Sequence, residues 1–171
     1  MHYALKGEWE QASHYALKAI TLRKHAAAPF VPLDFFRSYE TEALLQMGEE
    51  DLARAEVQQM GEHQELYRRF RIPYLRSLAV LARRDGQNEQ AIDHLRQAAQ
   101  VAADLGLPAE RWQIQAILGE VYDVCGQRTQ ADAAFREAAD LLQSLAQGIE
   151  DEAQRALFVT GPFVQQILQR A

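Results

Sequence analysis

Four copies of one short pattern recur along the chain, and their spacing is the feature that most limits its fold. In each copy a glycine is followed five residues later by an alanine: Gly7 and Ala12, Gly48 and Ala53, Gly86 and Ala91, and Gly126 and Ala131. Successive glycines lie 41, 38 and 40 residues apart. A period of about 20–50 residues is typical of repeat proteins, whose units bury their apolar faces against their neighbours. The spacing therefore predicts a repeat protein.

Apolar residues recur at helical spacing on both sides of each glycine. The clearest example is the fourth copy, with Ile114, Ile117, Leu118, Val121 and Tyr122 before the glycine and Ala131, Ala134, Phe135, Ala138, Leu141 and Leu142 after it. Intervals of three and four residues place such side chains on one face of a helix. Glycine suits the turn between two helices because it accepts a positive φ without a Cβ clash. Each copy therefore predicts a helix, a tight turn and a second helix.

These patterns divide the chain into about four helical hairpins and a tail. The predicted repeats are residues 1–28 (a partial unit), 33–70, 72–105 and 112–147, and residues 148–171 are predicted to form C-terminal capping helices. Only six residues precede Gly7, so we expect the chain to be one domain cut from a longer protein. The incomplete hairpin is expected to leave an apolar face near Tyr15, Ala16 and Ile20, through which the protein would self-associate.

Charge and composition exclude several classes of protein. The net charge is −6, whereas a nucleic-acid-binding surface needs a strongly basic face. No apolar run approaches the roughly 20 residues that cross a bilayer, and the first residues lack the pattern of a signal peptide. A single cysteine, Cys125, suits a reducing compartment. We therefore expect a cytoplasmic protein that binds neither membrane nor nucleic acid directly.

The fourth repeat resembles the tetratricopeptide repeat. Residues of the required size follow one another at the spacing of that family: Leu118, Gly119, Tyr122, Gly126, Ala131, Phe135 and Ala138. The third repeat matches with Ala82 in place of the aromatic residue, and the first two match less fully. The resemblance implies an all-α, right-handed superhelical array of α-α repeats with a capping helix at its C-terminal end. The period near 40 residues resembles the helical-repeat regions of bacterial multidomain signal-transduction ATPases and transcriptional regulators.

The same resemblance implies where a partner would bind. In that family the first helix of each repeat lines a concave groove, and the matching positions here are Ser38 and Glu42, then Arg76, Val80, Arg83 and Arg84, then Gln113, Glu120 and Asp123. Arg76 and Arg83 lie two helical turns apart on one face and suit a carboxylate or phosphate group. The alternative, which the residues leave open, is that these arginines pair with Glu42 and Asp123 of the flanking repeats.

No catalytic or metal-binding pattern accompanies the repeats. No two histidines have the i, i+4 spacing that places both on one helix face for a metal, and no phosphate-binding loop or nucleophile motif is present. We therefore expect no enzyme activity, cofactor or metal. The predicted function is protein–protein interaction or regulation within a larger bacterial signalling protein, with other domains of the parent chain among the expected partners. The alternative is a small-molecule sensor domain that controls an ATPase, a kinase or a transcription activator.

Overall fold

The protein is all-helical in the part of the chain that its structure describes. A computed structural model describes residues 2–25, 37–63 and 68–171, which form helices joined by turns, without a strand. The parts of the predicted repeats that fall at 26–36 and 64–67 lie outside the described residues. The chain divides into two compact units, residues 1–87 and 88–171, and this boundary falls inside the predicted repeat 72–105.

Unit 1 contains five helices in its described residues. They are α1 (His2–Leu5), α2 (Trp9–His25), α3 (Arg37–Gln46), α4 (Glu50–His63) and α5 (Arg71–Arg84), and a 3-10 turn at Arg68–Phe70 precedes α5. Helix α3 packs against α2, α4 and α5. The apolar side chains that meet there are Ala16, Ile20, Leu44, Leu45, Ala53, Val57 and Leu81. One core cluster of unit 1 therefore joins α2, α3, α4 and α5.

This core changes the expectation for the N-terminal apolar face. Ala16 and Ile20, which we expected to be exposed, are buried because α2 turns them towards α3 and α4. Tyr15 remains 52% exposed and stacks on Tyr3, with 5.3 Å between the ring centroids. The predicted apolar face is thus wrong for Ala16 and Ile20, and of the three residues only Tyr15 is exposed.

Unit 2 consists of three long helices and a two-helix tail. The long helices are α6 (Asn88–Asp104), α7 (Pro108–Val124) and α8 (Arg128–Gln147), and the tail helices are α9 (Glu152–Val159) and α10 (Pro162–Arg170). Helix α7 packs against both α6 and α8. Pro108 is the first residue of α7, where its missing N–H has no partner to lose.

The glycines of the repeated pattern make the turns that the sequence predicts. Gly7, Gly48, Gly86 and Gly126 all have a positive φ, between 71° and 81°. At Gly126 the N–H donates to the carbonyl of Asp123 (3.0 Å), and the next N–H, of Gln127, donates to Tyr122 (2.9 Å). This pair of bonds is the Schellman motif, which satisfies carbonyls at a helix end. The predicted pattern of helix, glycine turn and helix is confirmed within the fourth repeat.

Small residues allow α7 and α8 to approach closely. A Cβ atom built on Gly119 of α7 would lie 2.6 Å from Cζ of Phe135 on α8. Phe135 is 2% exposed, and Ala131 and Ala138 beside it are fully buried. The absence of a side chain at Gly119 therefore creates the space that the Phe135 ring fills.

The tail covers part of unit 2 through α10. Val164 and Ile167 of α10 are buried, and this helix packs against α8. Phe163 meets Trp112 of α7, with 5.5 Å between the ring centroids. Helix α9, in contrast, has no buried residue. Among the described residues no helix is both long enough and apolar enough to cross a membrane.

Candidate functional site

Six of the nine predicted groove residues lie on two neighbouring helices of unit 1. Ser38 and Glu42 lie on α3, and Arg76, Val80, Arg83 and Arg84 lie on α5. Helices α3 and α5 pack side by side, so the structure brings the two sets together. We call these six residues the α3–α5 face.

Arg76 is the most unusual residue of this face. It is only 5% exposed, and its guanidinium carbon lies 5.3 Å from the centroid of the Tyr39 ring. Its Nε is buried without a hydrogen-bond partner. Within the described residues of unit 1, no acidic side chain forms an ion pair with it. The predicted alternative, a pair between Arg76 and Glu42, is therefore not formed.

The energetics of this arrangement leave Arg76 incompletely compensated. Removing a charged group from water costs several kcal/mol, even after the protein relaxes around it. A cation–π contact returns about 0.5–2 kcal/mol. The contact with Tyr39 is therefore smaller than the desolvation penalty, and an anion beside the guanidinium would add a charge-assisted hydrogen bond.

Two hydroxyl groups next to this arginine and its aromatic partner also lack hydrogen bonds. Ser38 precedes Tyr39 on α3, and Ser77 follows Arg76 on α5. Both serines are buried, and neither Oγ has a hydrogen-bond partner. Buried polar groups are normally satisfied, so unpaired ones call for an explanation. Together with the Nε of Arg76, the two hydroxyl groups make three unpaired buried polar groups on the adjacent helices α3 and α5.

The rim of the α3–α5 face is basic. Arg83 and Arg84 are exposed in the last turn of α5, and Val80 packs partly against the core of unit 1. Glu42 is half-buried and interacts with other groups. The face thus combines one buried cation and two exposed cations on α5 with one half-buried acid, Glu42, on α3.

The three predicted groove residues of unit 2 lie on α7 and are engaged there. Asp123 forms an ion pair with Arg170 of α10. The amide of Gln113 donates to the carbonyl of Ala109 at 3.2 Å, and Glu120 is half-buried with interactions of its own. In unit 2, therefore, the exposed predicted acid, Asp123, is already paired with the tail helix α10.

Sequence reasoning missed an ionic cluster that joins three helices of unit 1. Arg23 of α2 contacts Glu40 of α3 through two hydrogen bonds of 3.2 and 2.8 Å, and it also reaches Glu56 of α4 at 3.3 Å. Arg37 of α3 donates to the same Glu56 at 2.9 Å.

The electrostatics of Arg23 show that the acids of this cluster compensate its charge. Burial disfavours its charge, but Glu40 and Glu56 more than offset that effect and raise the pKa of Arg23. The cluster holds two arginines and two glutamates, and its contacts link α2, α3 and α4. No spacing along the chain signals it, because the four residues come from three separate helices.

Metal binding finds no support in the described part of the chain. No group of three His, Cys, Asp or Glu side chains is placed there to hold a metal ion. Cys125 is a half-buried free thiol. The α3–α5 face is therefore the candidate site that the predicted residues form.

Comparisons of the chain with protein-family models, with curated proteins and with solved structures found no match.

Proposed function

We propose that the protein is a non-enzymatic binding module that holds a carboxylate of a protein or peptide partner on the α3–α5 face. The observation that supports this most directly is Arg76, a nearly buried cation without an acidic partner in the described part of unit 1. A partner carboxylate would supply the missing negative charge. Charge-assisted hydrogen bonds to arginine are among the stronger polar interactions in proteins.

The rest of the face suits the same kind of partner. Arg83 and Arg84 present two exposed charges close to Arg76, in a chain whose net charge is −6. A locally positive surface on a negatively charged protein attracts acidic segments and speeds their association. An acidic partner is therefore favoured over a neutral one.

The wider context is part of the same proposal. The positive-φ glycines, the buried alanines and the close approach at Gly119 support a superhelical array that resembles tetratricopeptide repeats. Repeat arrays use extended surfaces to bind other proteins. We place this module in the cytoplasm, within a larger bacterial signalling protein, where its partner is another protein or another domain of the parent chain.

Selection from a peptide library tests this function. A random peptide library displayed on phage is selected on the full chain, and the bound peptides are sequenced and synthesised. We expect the selected peptides to be rich in Asp and Glu. In fluorescence anisotropy, Arg83→Glu should weaken their binding at least tenfold, because it reverses an exposed charge of the α3–α5 face.

Two further variants make the test specific. Arg71→Glu is the matched control, since Arg71 is an exposed arginine of the same helix but does not belong to the α3–α5 face; its effect should stay below about twofold. Arg76→Gln should weaken binding as Arg83→Glu does, with circular dichroism to verify folding. Selected peptides without acidic residues, or equal effects of Arg71→Glu and Arg83→Glu, would contradict the proposed function.

A further inference from the structure

A concave surface lies in unit 2, and none of the nine predicted groove residues lines it. Helices α6 and α8 both pack against α7, and between them they leave an open cleft of about 420 Å³. Cavities that hold ligands usually measure about 300–1,000 Å³. The cleft is therefore large enough to bind a ligand.

The cleft lies on the far side of α7 from the predicted groove positions. Its α7 residues include Arg111, Gln115 and Tyr122. Gln113 was predicted to line the groove, but it lies two residues beyond Arg111, which is about 200° around an α-helix. The cleft is thus a separate surface and not an extension of the predicted groove.

The charges of the cleft favour an anionic ligand. Arg111 forms an ion pair with Glu137, so these two charges compensate each other. Arg96 has no acidic partner in the described part of unit 2. Its Nε donates to the hydroxyl of Tyr122 at 2.9 Å, and its guanidinium carbon lies 5.7 Å from the centroid of that ring. A neutral phenol orients the exposed Arg96 but supplies no negative charge to pair with it.

The shape of the cleft favours an extended chain. Along α7 its floor runs from Arg111 to Tyr122, which are separated by eleven helical rises, or about 16.5 Å at 1.5 Å per residue. An extended peptide rises about 3.3 Å per residue, so about five residues fit this length. The walls carry small side chains, such as Ala99 and Ala133, which let a backbone approach. The amides of Gln115 and Gln130 offer both donors and acceptors for peptide groups.

We infer that this cleft binds an extended acidic peptide segment of about five residues, with one Asp or Glu carboxylate on Arg96. The terminal nitrogens of Arg96 donate to the carboxylate, and Tyr122 holds the guanidinium in place from the other side. The site is independent of the α3–α5 face, because it uses other residues in the other unit.

A peptide array tests the inference. The full chain is applied to blocked pentapeptides that carry one Asp or Glu at each position, beside matched peptides with Asn or Gln. We expect a subset of acidic peptides to bind at least tenfold more tightly than their amide counterparts. An array on which acidic and amide peptides bind alike, or on which none binds, overturns the inference.

Variants identify the surface that binds these peptides. Arg96→Met removes the charge and should abolish the preference for acidic peptides, whereas Tyr122→Phe keeps the charge and should retain it. Arg136→Met is the matched control: Arg136 is exposed on α8, and its Nε donates only to the carbonyl of Asp132. It should bind as the unmodified chain does. Loss of binding in Arg136→Met equal to that in Arg96→Met overturns the inference.

Two more comparisons distinguish a peptide-binding cleft from the α3–α5 face and from a site for small acids. Peptides that lose affinity with Arg83→Glu but not with Arg96→Met bind to the α3–α5 face. An array that yields only such peptides overturns the inference about the cleft and supports the proposed function of the α3–α5 face. Glutarate, a five-carbon dicarboxylic acid that corresponds to glutamate without its amino group, is used as a competitor. If glutarate binds as tightly as the best peptide, the cleft takes small acids and the peptide inference is wrong.

Discussion

The close packing of Gly119 against the Phe135 ring predicts that Gly119→Ala destabilises unit 2. An alanine Cβ at this position would lie 2.6, 2.7 and 2.8 Å from three carbon atoms of the Phe135 ring. Carbon atoms in contact prefer about 3.5–4.0 Å, so the overlap is about 0.9 Å. All three atoms belong to one ring that is 2% exposed, so the ring has no solvent into which it can move.

The magnitude follows from two opposing effects. Overpacking a core typically costs about 1–3 kcal/mol. Alanine favours the helix over glycine by about 1 kcal/mol. We therefore expect a net loss of about 0–2 kcal/mol, which for a chain of this size corresponds to a fall in Tm of up to about 8 °C.

Thermal and urea unfolding followed by circular dichroism measure this loss. Gly148→Ala is the matched control, because Gly148 has a φ of −76° and a Cβ there would come no closer than 3.4 Å to a neighbour. Phe135→Leu should relieve the clash, so the double variant should lose less stability than the sum of the two single variants. A Gly119→Ala protein that is more stable than the unmodified chain would refute the close packing of α7 and α8.

The remaining predictions concern a turn and two titrating groups. Gly126→Ala should cost about 1–2 kcal/mol through backbone strain alone, because φ is 71° and a Cβ would meet nothing within 4 Å; urea unfolding measures this cost. A hydrogen bond from Arg54 lowers the pKa of Asp85 below its ordinary value of 3.8. The ionised pair therefore stabilises the fold above pH 3.8, and this stability is lost as the pH falls through the lowered pKa. Asp85→Asn should remove that part of the acid dependence in urea titrations. Burial lowers the pKa of His94 below 6.5, although Asp93 opposes the shift, so stability should fall as the pH drops below 6.5 towards the lowered pKa. Unfolding measured between about pH 7 and pH 5 should therefore show a smaller fall for His94→Gln.

Local conformation in this chain is readable from the sequence where one residue type is required. The four glycines of the repeated pattern all take the left-handed conformation that their position after a helix predicts. Gly106, between α6 and α7, also has a positive φ of 64°. The repeated pattern did not identify it, because no alanine follows five residues later. A turn glycine is required by the backbone, whereas the alanine is required only where its helix is buried.

Burial of individual charged residues was less predictable. The i, i+7 spacing of Arg76 and Arg83 placed both on one face of α5, but it did not reveal that one is buried and the other exposed. That difference arises from α3, which covers Arg76 with Tyr39. The N-terminal face shows the same limit, because α3 and α4 cover Ile20. Contacts between distant helices decide burial, and no local pattern encodes them.

The polar cleft of unit 2 had a detectable local signal. Arg96 and Gln100 on α6, and Arg111 and Gln115 on α7, are pairs at i, i+4 spacing that border apolar stripes. Such a pair predicts one polar helix face. It does not predict that faces of different helices line the same cleft, since that depends on how α7 packs between its neighbours.

The guanidinium signal of Arg76 tests the central claim most directly. In a ¹H–¹⁵N spectrum of arginine side chains, the Arg76 signal is the one that disappears in Arg76→Lys. Addition of an acidic peptide selected on the full chain should shift this signal while that of Arg71 stays in place, and the matched amide peptide should have no effect. If the acidic peptide binds and the Arg76 signal does not move, Arg76 does not hold the partner carboxylate and the proposed function of the α3–α5 face is wrong.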